Sequence, residues 1–215
     1  ASYGGHIIGS GFNACVLHYI ENSAAMKDGD LVCVDAGCEY GFYTADVTRT
    51  WPVNGTFSEA QRDLYQVVLD AQEAAIAHAV EGSSIRSVHQ VTVRVLTEGM
   101  VRLGLLSGDV DDLIAEETFR RFYMHGTSHW LGLDVHDVGA YFKDGDSRTL
   151  EPGMVLTIEP GIYVADDDET APAAYRGIGI RIEDDVLVTA TGNLVLTAAA
   201  PKTVSDVEAV MRGEG

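Results

Sequence analysis

Cysteine is scarce in this chain. Three residues in 215 (Cys15, Cys33 and Cys38) are too few and too unevenly spaced for a disulfide framework or a zinc knuckle. Cys33 and Cys38 flank an aspartate, Asp35, and are expected to pack as small apolar side chains. The pattern suits a reducing cytoplasm. Basic residues are also few, with 14 Lys and Arg against 33 Asp and Glu and a formal net charge of −19. No basic stripe exists to neutralise phosphates, which argues against nucleic acid as a partner and against anionic membrane surfaces. No apolar run approaches the roughly 18 residues of a membrane span, no signal-peptide pattern is read, and the HEXXH zinc motif is missing.

The chain has a large apolar content and the length for one domain. Hydrophobic residues make up 46% of it, enough for a substantial core, and no low-complexity linker divides it. Residues 31–38 and 42–51 read as a β-hairpin. Ser58 followed by Glu59 reads as the N-cap of a long helix reaching about Glu81 and stopped by Gly82. Val88, Val91, Val95 and Leu96 mark a second amphipathic helix over 84–103, ended by Gly104. A short helix is expected from Asp109 to about Glu117 and a last one over 205–212. Strands are expected at 124–136, 154–159, 161–165, 178–189 and 193–198, with 166–174 a surface loop. This order suits an α+β domain with helices on one face of an antiparallel sheet.

Four acids lie in apolar or glycine-marked segments that would place them inside such a core. They are Asp35 in LVCVDAG, Asp46 in YTADVTRTW, Glu159 in MVLTIEPG and Glu183 in GIGIRIEDDVLVT; His129 sits similarly in MHGTSHWLGLDVHD. Four carboxylates in one interior repel each other and are costly to desolvate unless cations share the space. With an imidazole they can hold two divalent metals, which makes a hydrolase the first expectation. A hairpin turning between Tyr40 and Gly41 would put Asp35 directly opposite Asp46, with Cβ atoms roughly 4.5–5.5 Å apart. The competing reading leaves one of the two aspartates at a turn or edge, facing water.

His125, His129 and His136 fall within twelve residues, and Gly126 and Gly132 argue against a helix there. A single histidine is more often a hydrogen-bonded structural residue than a ligand, but three together beside apolar residues favour a site. His18, in ValLeuHisTyr, is a fourth candidate. His6, His78 and His89 read as structural or surface residues.

The segments VDAGCEYGFYTADVTRTWPVNG, MHGTSHWLGLDVHDVG, LEPGMVLTIEPGIY and YRGIGIRIEDDVLVT closely resemble the catalytic domain of the aminopeptidase P (Xaa-Pro aminopeptidase) family. The resemblance runs from about Ser2 to Met211 and implies the pita-bread fold, a curved antiparallel sheet with helices on its outer face, filling residues 1–215. It implies two divalent ions, Mn²⁺ foremost with Co²⁺ or Zn²⁺ as alternatives, held by Asp35, Asp46, His129, Glu159 and Glu183. A hydroxide between them is the implied nucleophile, and Glu159 the proton acceptor and donor. His136 is implied to hydrogen-bond the scissile carbonyl, His125 and His18 to line the substrate cleft, and Arg181 and Tyr163 to support the site as a catalytic residue and a cleft tyrosine.

The implied reaction releases the N-terminal residue from peptides with proline second. Prolidase action on Xaa-Pro dipeptides and a non-catalytic binding module are the alternatives. Methionine aminopeptidase fits the wording around His129 and Glu183 less well, and the complete ligand set argues against creatinase. The resemblance also implies an N-terminal domain and leading helices ahead of the stretch that opens here, so a part of a longer protein is expected, with a truncated homologue the alternative. A homodimer or homotetramer is implied as well.

Overall fold

The computed structural model describes residues 6–214; residues 1–5 and 215, at the ends of the expected domain, lie outside them. The elements run in chain order as β1 (Ile7–Ser10), β2 (Leu31–Ala36), β3 (Glu39–Tyr40), β4 (Tyr43–Thr44), β5 (Val47–Pro52), α1 (Glu59–His78), α2 (Ile85–Arg102), α3 (Val110–Ala115), β6 (Phe142–Lys143), β7 (Asp146–Ser147), β8 (Val155–Ile158), β9 (Gly161–Val164), β10 (Ile178–Arg181), β11 (Asp184–Thr189), β12 (Gly192–Val195) and α4 (Val204–Met211). No helix among them is long and apolar enough to cross a membrane.

The helices start where short polar side chains cap them. Ser58 and Gln61 form a reciprocal capping box at α1, and Ser84 with Ser87 does the same at α2. Asp109 caps α3 and Thr203 caps α4. α1 and α2 pack closely because Gly99 lies against Val67; a Cβ at Gly99 would collide with both Val67 methyls. The glycine costs helix propensity, and the close approach of the two helices is what it allows.

The sheet is antiparallel throughout. β1, β2 and β5 pair in that order, β9 pairs with β10, and β8, β11 and β12 form a third ladder. Hydrogen bonds outside the ladders stitch these together. Glu183 N–H donates to Thr48 O on β5 at 3.0 Å, and residues 127–131 run antiparallel along β8, bonding through Leu131 N–H to Val155 O and Thr157 N–H to His129 O. The alternation of strand residues then sorts chemistry from packing. Leu156, Ile158, Ile162, Val164, Ile180, Ile182, Val186 and Val188 are buried with α1 and α2 residues such as Leu64, Val68, Leu96 and Ala75. Glu159, Tyr163, Arg181, Glu183 and Asp185 have the opposite parity and sit on the other face.

Four expectations are corrected. The hairpin turns at Gly41 and Phe42, both at positive φ (58° and 69°), between the paired Tyr40 and Tyr43. Such a two-residue turn matches strand twist, and it shifts the register so that Asp35 faces Thr48 rather than Asp46. Asp46 is therefore a diagonal neighbour of Asp35. Residues 124–136 do not form a strand: only a single bridge, Trp130 with Leu156, is made there. The Trp130 N–H is taken by the Tyr141 hydroxyl instead of a ladder partner, and the chain turns at Gly132. The expected strand 178–189 is split at Ile182–Glu183, where β10 ends and β11 takes new partners. α1 also ends at His78, before Glu81.

Candidate metal centre

β8 and β9 are interrupted at Glu159–Pro160, and β10 and β11 at Ile182–Glu183. One register spans both interruptions: Ile158 faces Asp184 and Gly161 faces Arg181, so Glu159 falls opposite Glu183. At the breaks the backbone turns outward for partners. Glu159 N–H donates to Thr127 O at 2.8 Å and Glu183 N–H to Thr48 O at 3.0 Å. The two glutamates thus project from one face toward Asp35 and Asp46, which reach the same place from the β2–β5 side.

The four carboxylates and His129 line one cleft of about 290 Å³, shared with Ile7, Leu17, His18, His125, His136 and Arg181. Donor atoms of Asp46, His129 and Glu183 all lie within 4.8 Å of one another. His129 Nε2 is 3.6 Å from Asp46 Oδ2 and 3.6 Å from Glu159 Oε1. Asp35 joins through hydrogen-bond contact with Asp46 and a 2.8 Å bond from Arg181 Nη2. Asp46, His129 and Glu183 are buried, whereas Asp35 and Glu159 are partly exposed to the cleft.

Crowding makes these acids hard to ionise. Burial pushes Glu159 up to about 7, with Asp46 and Asp35 adding to the effect and His129 and Arg181 opposing it. Asp35 is pushed up to about 6 by burial in spite of Arg181. Glu183 is held well above the usual carboxylate range by burial and by the charges of Glu159, Asp46 and Asp35, although the Thr48 hydroxyl donates to its Oε2 at 2.6 Å. Burial alone would lower His129, but the Asp46 and Glu159 carboxylates raise it.

The donor set fits divalent cations. His129 Nδ1–H donates to Trp130 O at 3.0 Å, which fixes the tautomer and leaves the Nε2 lone pair facing the carboxylates. Carboxylates clustered this tightly lose their repulsion when cations replace the shared protons. Carboxylate oxygens with one imidazole nitrogen, as Asp46, Glu183 and His129 offer here, are a hard to borderline donor set suited to a divalent ion.

The remaining histidines differ in their freedom. His136 stacks at 4.0 Å from the His129 ring and is held neutral by burial and by His129. His18 is exposed on the cleft rim. His125 has both ring nitrogens occupied: Nδ1–H donates to Gly126 O and Nε2 accepts from the Tyr163 hydroxyl, each at 2.8 Å. Burial drops His125 to about 4, so its 4.0 Å approach to Glu159 is not an ion pair at neutral pH.

Tyr163 is 3% exposed. Its hydroxyl accepts from Arg181 Nη1 at 3.1 Å while donating to His125. That hydroxyl thereby connects Arg181 and His125, both of which line the cleft.

Several contributors were not read from the sequence. Thr48 bonds both Glu183 and Arg181. Thr127 supplies the carbonyl for Glu159, and its hydroxyl joins His89 Nδ1 at 2.8 Å and the Tyr123 hydroxyl at 2.7 Å. His89 is thereby a structural partner of the site. Asp184, on the helix face, collects Arg49, Gln72, Thr197 and Lys202. The parity of residues 179–187 would have placed Asp185 on the Glu183 face.

Comparison with known proteins agrees with this architecture. The model of metallopeptidase family M24 matches residues 2–190. An Xaa-Pro aminopeptidase of Escherichia coli K12 is 57% identical over 205 residues, covering 95% of this chain and 46% of that protein. Human Xaa-Pro aminopeptidase 3 is 39% identical over 204 residues, covering 95% of this chain and 39% of its own length. The solved Pseudomonas aeruginosa aminopeptidase PepP superposes with a TM-score of 0.97 at 55% identity, covering 99% of this chain and 48% of that one. An E. coli aminopeptidase P variant solved in complex with substrate gives 0.95 at 55% identity, with coverage of 99% and 48%. The chain thus spans 39–48% of the length of these relatives, and its fold is theirs, the pita-bread fold.

Proposed function

The chain belongs to metallopeptidase family M24, and on that premise we propose that its cleft is the site of a metal-dependent Xaa-Pro aminopeptidase, with residues 1–215 forming the catalytic domain. The observation that carries this reading is the convergence of Asp46, His129 and Glu183 donor atoms within 4.8 Å, in a cleft that also holds Asp35 and Glu159. Those five side chains would hold two divalent ions, Mn²⁺ foremost. Such ions lower the pKa of bound water toward neutrality and polarise the substrate carbonyl.

The protein's own groups account for the rest. Glu159, which lines the cleft 3.6 Å from His129 Nε2, would take a proton from the attacking water and return it to the leaving nitrogen. That nitrogen belongs to proline, a tertiary amide without an N–H, so it must be protonated to leave and offers no donor for binding. Neutral His136, on the cleft beside His129, can donate one N–H to the carbonyl oxygen as charge builds there. His18 faces the same cleft, where it would contact the bound peptide. His125 is fixed by its two hydrogen bonds and gives that wall a defined shape. Arg181 and Tyr163 hold Asp35 and His125 in place.

The names of the relatives support peptides with N-terminal Xaa-Pro as substrates. The three unpaired cysteines support a cytoplasmic setting, and the family resemblance supports a homo-oligomer. The test is Glu183→Ala and Asp46→Ala, each of which should abolish turnover and metal retention together; unchanged activity in either would falsify the two-metal assignment.

A further inference from the structure

Three of the carboxylate-bearing residues of the site lie where a strand is interrupted: Asp46 between β4 and β5, Glu159 between β8 and β9, and Glu183 between β10 and β11. An interruption leaves a backbone N–H without its ladder partner, and a buried N–H needs another acceptor. Glu159 and Glu183 find backbone carbonyls, those of Thr127 and Thr48. Asp46 does not. Its N–H donates to a side chain, Asp185 Oδ2, at 3.2 Å.

Asp185 is suited to that task and to little else in the fold. It shares the Glu183 face of β11, is 2% exposed, and pairs across the ladder with Thr157. Its Oδ1 has no hydrogen-bond partner among the described residues. Its neighbour Asp184, by contrast, is saturated by Arg49, Gln72, Thr197 and Lys202. A buried carboxylate oxygen left unmatched is a destabilising feature, so packing and stability do not account for an aspartate at this position.

We infer that Asp185 is a positioning residue of the metal centre, which fixes Asp46 by accepting its backbone N–H. The inference rests on the metal-site reading of Asp46. Asp46 approaches His129 Nε2 within 3.6 Å and touches Asp35, so a swing of its backbone would open the donor cluster on two sides. The backbone N–H groups of Glu159 and Glu183 do not depend on Asp185, because main-chain carbonyls accept them.

The test titrates Mn²⁺ into metal-stripped wild-type protein, Asp185→Asn and Asp185→Ala, by calorimetry, with the melting temperature of each metal-free protein recorded alongside. Asn retains an acceptor oxygen for the Asp46 N–H, whereas Ala does not. Asp185→Ala is expected to weaken Mn²⁺ binding by about 10–100-fold, the usual cost of losing a residue that orients a ligand, and Asp185→Asn to recover most of it. Equal affinities in all three overturn the proposal, even if Asp185→Ala melts earlier. An Asn variant as weak as Ala overturns it too, since charge rather than the hydrogen bond would then be at work. A wild-type chain that binds no Mn²⁺ refutes the metal-site reading itself, a different failure.

Discussion

Arg181 Nη2 donates to Asp35 Oδ2 at 2.8 Å, which places a guanidinium among the four carboxylates of the cleft. The same side chain donates from Nη1 to the Tyr163 hydroxyl and from Nε to Thr48 Oγ1. Arg181 is 4% exposed, so these bonds are made away from bulk water and are worth more than surface ones.

Removal of that cation should therefore be felt most without metal. Arg181→Ala leaves the partly exposed Asp35 beside Asp46 without its cation, and because loss of one partner from a fully buried pair costs about 3–5 kcal/mol, the cost here should fall below that range. The metal-free variant is expected to melt well below the metal-free wild type, and Mn²⁺ to restore part of the difference. Differential scanning calorimetry with and without Mn²⁺ checks this; an equal deficit in both states would contradict it.

The protonation of the acids sets a pH dependence. Asp35 and Glu159 have folded-state values near 6 and 7 against ordinary values of 3.8 and 4.5. The folded, metal-free state thus binds protons more tightly than the unfolded one, and its stability from these groups is full below about pH 4 and lost by about pH 7. Metal displaces those protons, so the rise in melting temperature on adding Mn²⁺ should be larger at pH 7.5 than at pH 5.5. A rise independent of pH would show that the acids are not what the metal meets.

His136 should separate chemistry from metal binding. It stacks on His129 yet is not among the five expected ligands. His136→Ala is expected to lower kcat by about 10²–10³-fold, the usual cost of one donor to a developing oxyanion. Metal content by elemental analysis should stay at the wild-type level. A variant that loses its metal would make His136 a ligand.

Helix packing makes a prediction remote from the cleft. A methyl at Gly99 would meet both Val67 methyls, so Gly99→Ala should gain helix propensity but lose more to overpacking, a net cost of about 1–3 kcal/mol. Urea unfolding measures it, and unchanged kcat in the folded variant is the accompanying expectation.

Much of the site was legible because its acids stand out against apolar flanks. Asp35 after Leu31–Val34, and Glu159 and Glu183 within strand-like runs, are residues that a core tolerates only with compensation. The helix start at Ser58 was equally local, being written in the capping residue itself, and the second helix was legible in the spacing of its valines. The pairing of Asp35 with Asp46 was misread because the turn is set by Phe42 in a left-handed conformation, which a phenylalanine does not advertise. The breaks at Glu159 and Glu183 and the partners Thr48, Thr127 and Asp185 depend on hydrogen bonds between distant segments, such as Thr48 to Glu183 or Asp46 to Asp185. Periodicity within one segment carries no record of those.

The most direct test of the central claim compares hydrolysis of an Xaa-Pro-Yaa tripeptide with that of the matching Xaa-Pro dipeptide, on metal-stripped protein before and after Mn²⁺ is restored. The account predicts release of the N-terminal residue from the tripeptide only after Mn²⁺ is returned, with little action on the dipeptide. Cleavage that persists without metal, or a preference for the dipeptide, would contradict it.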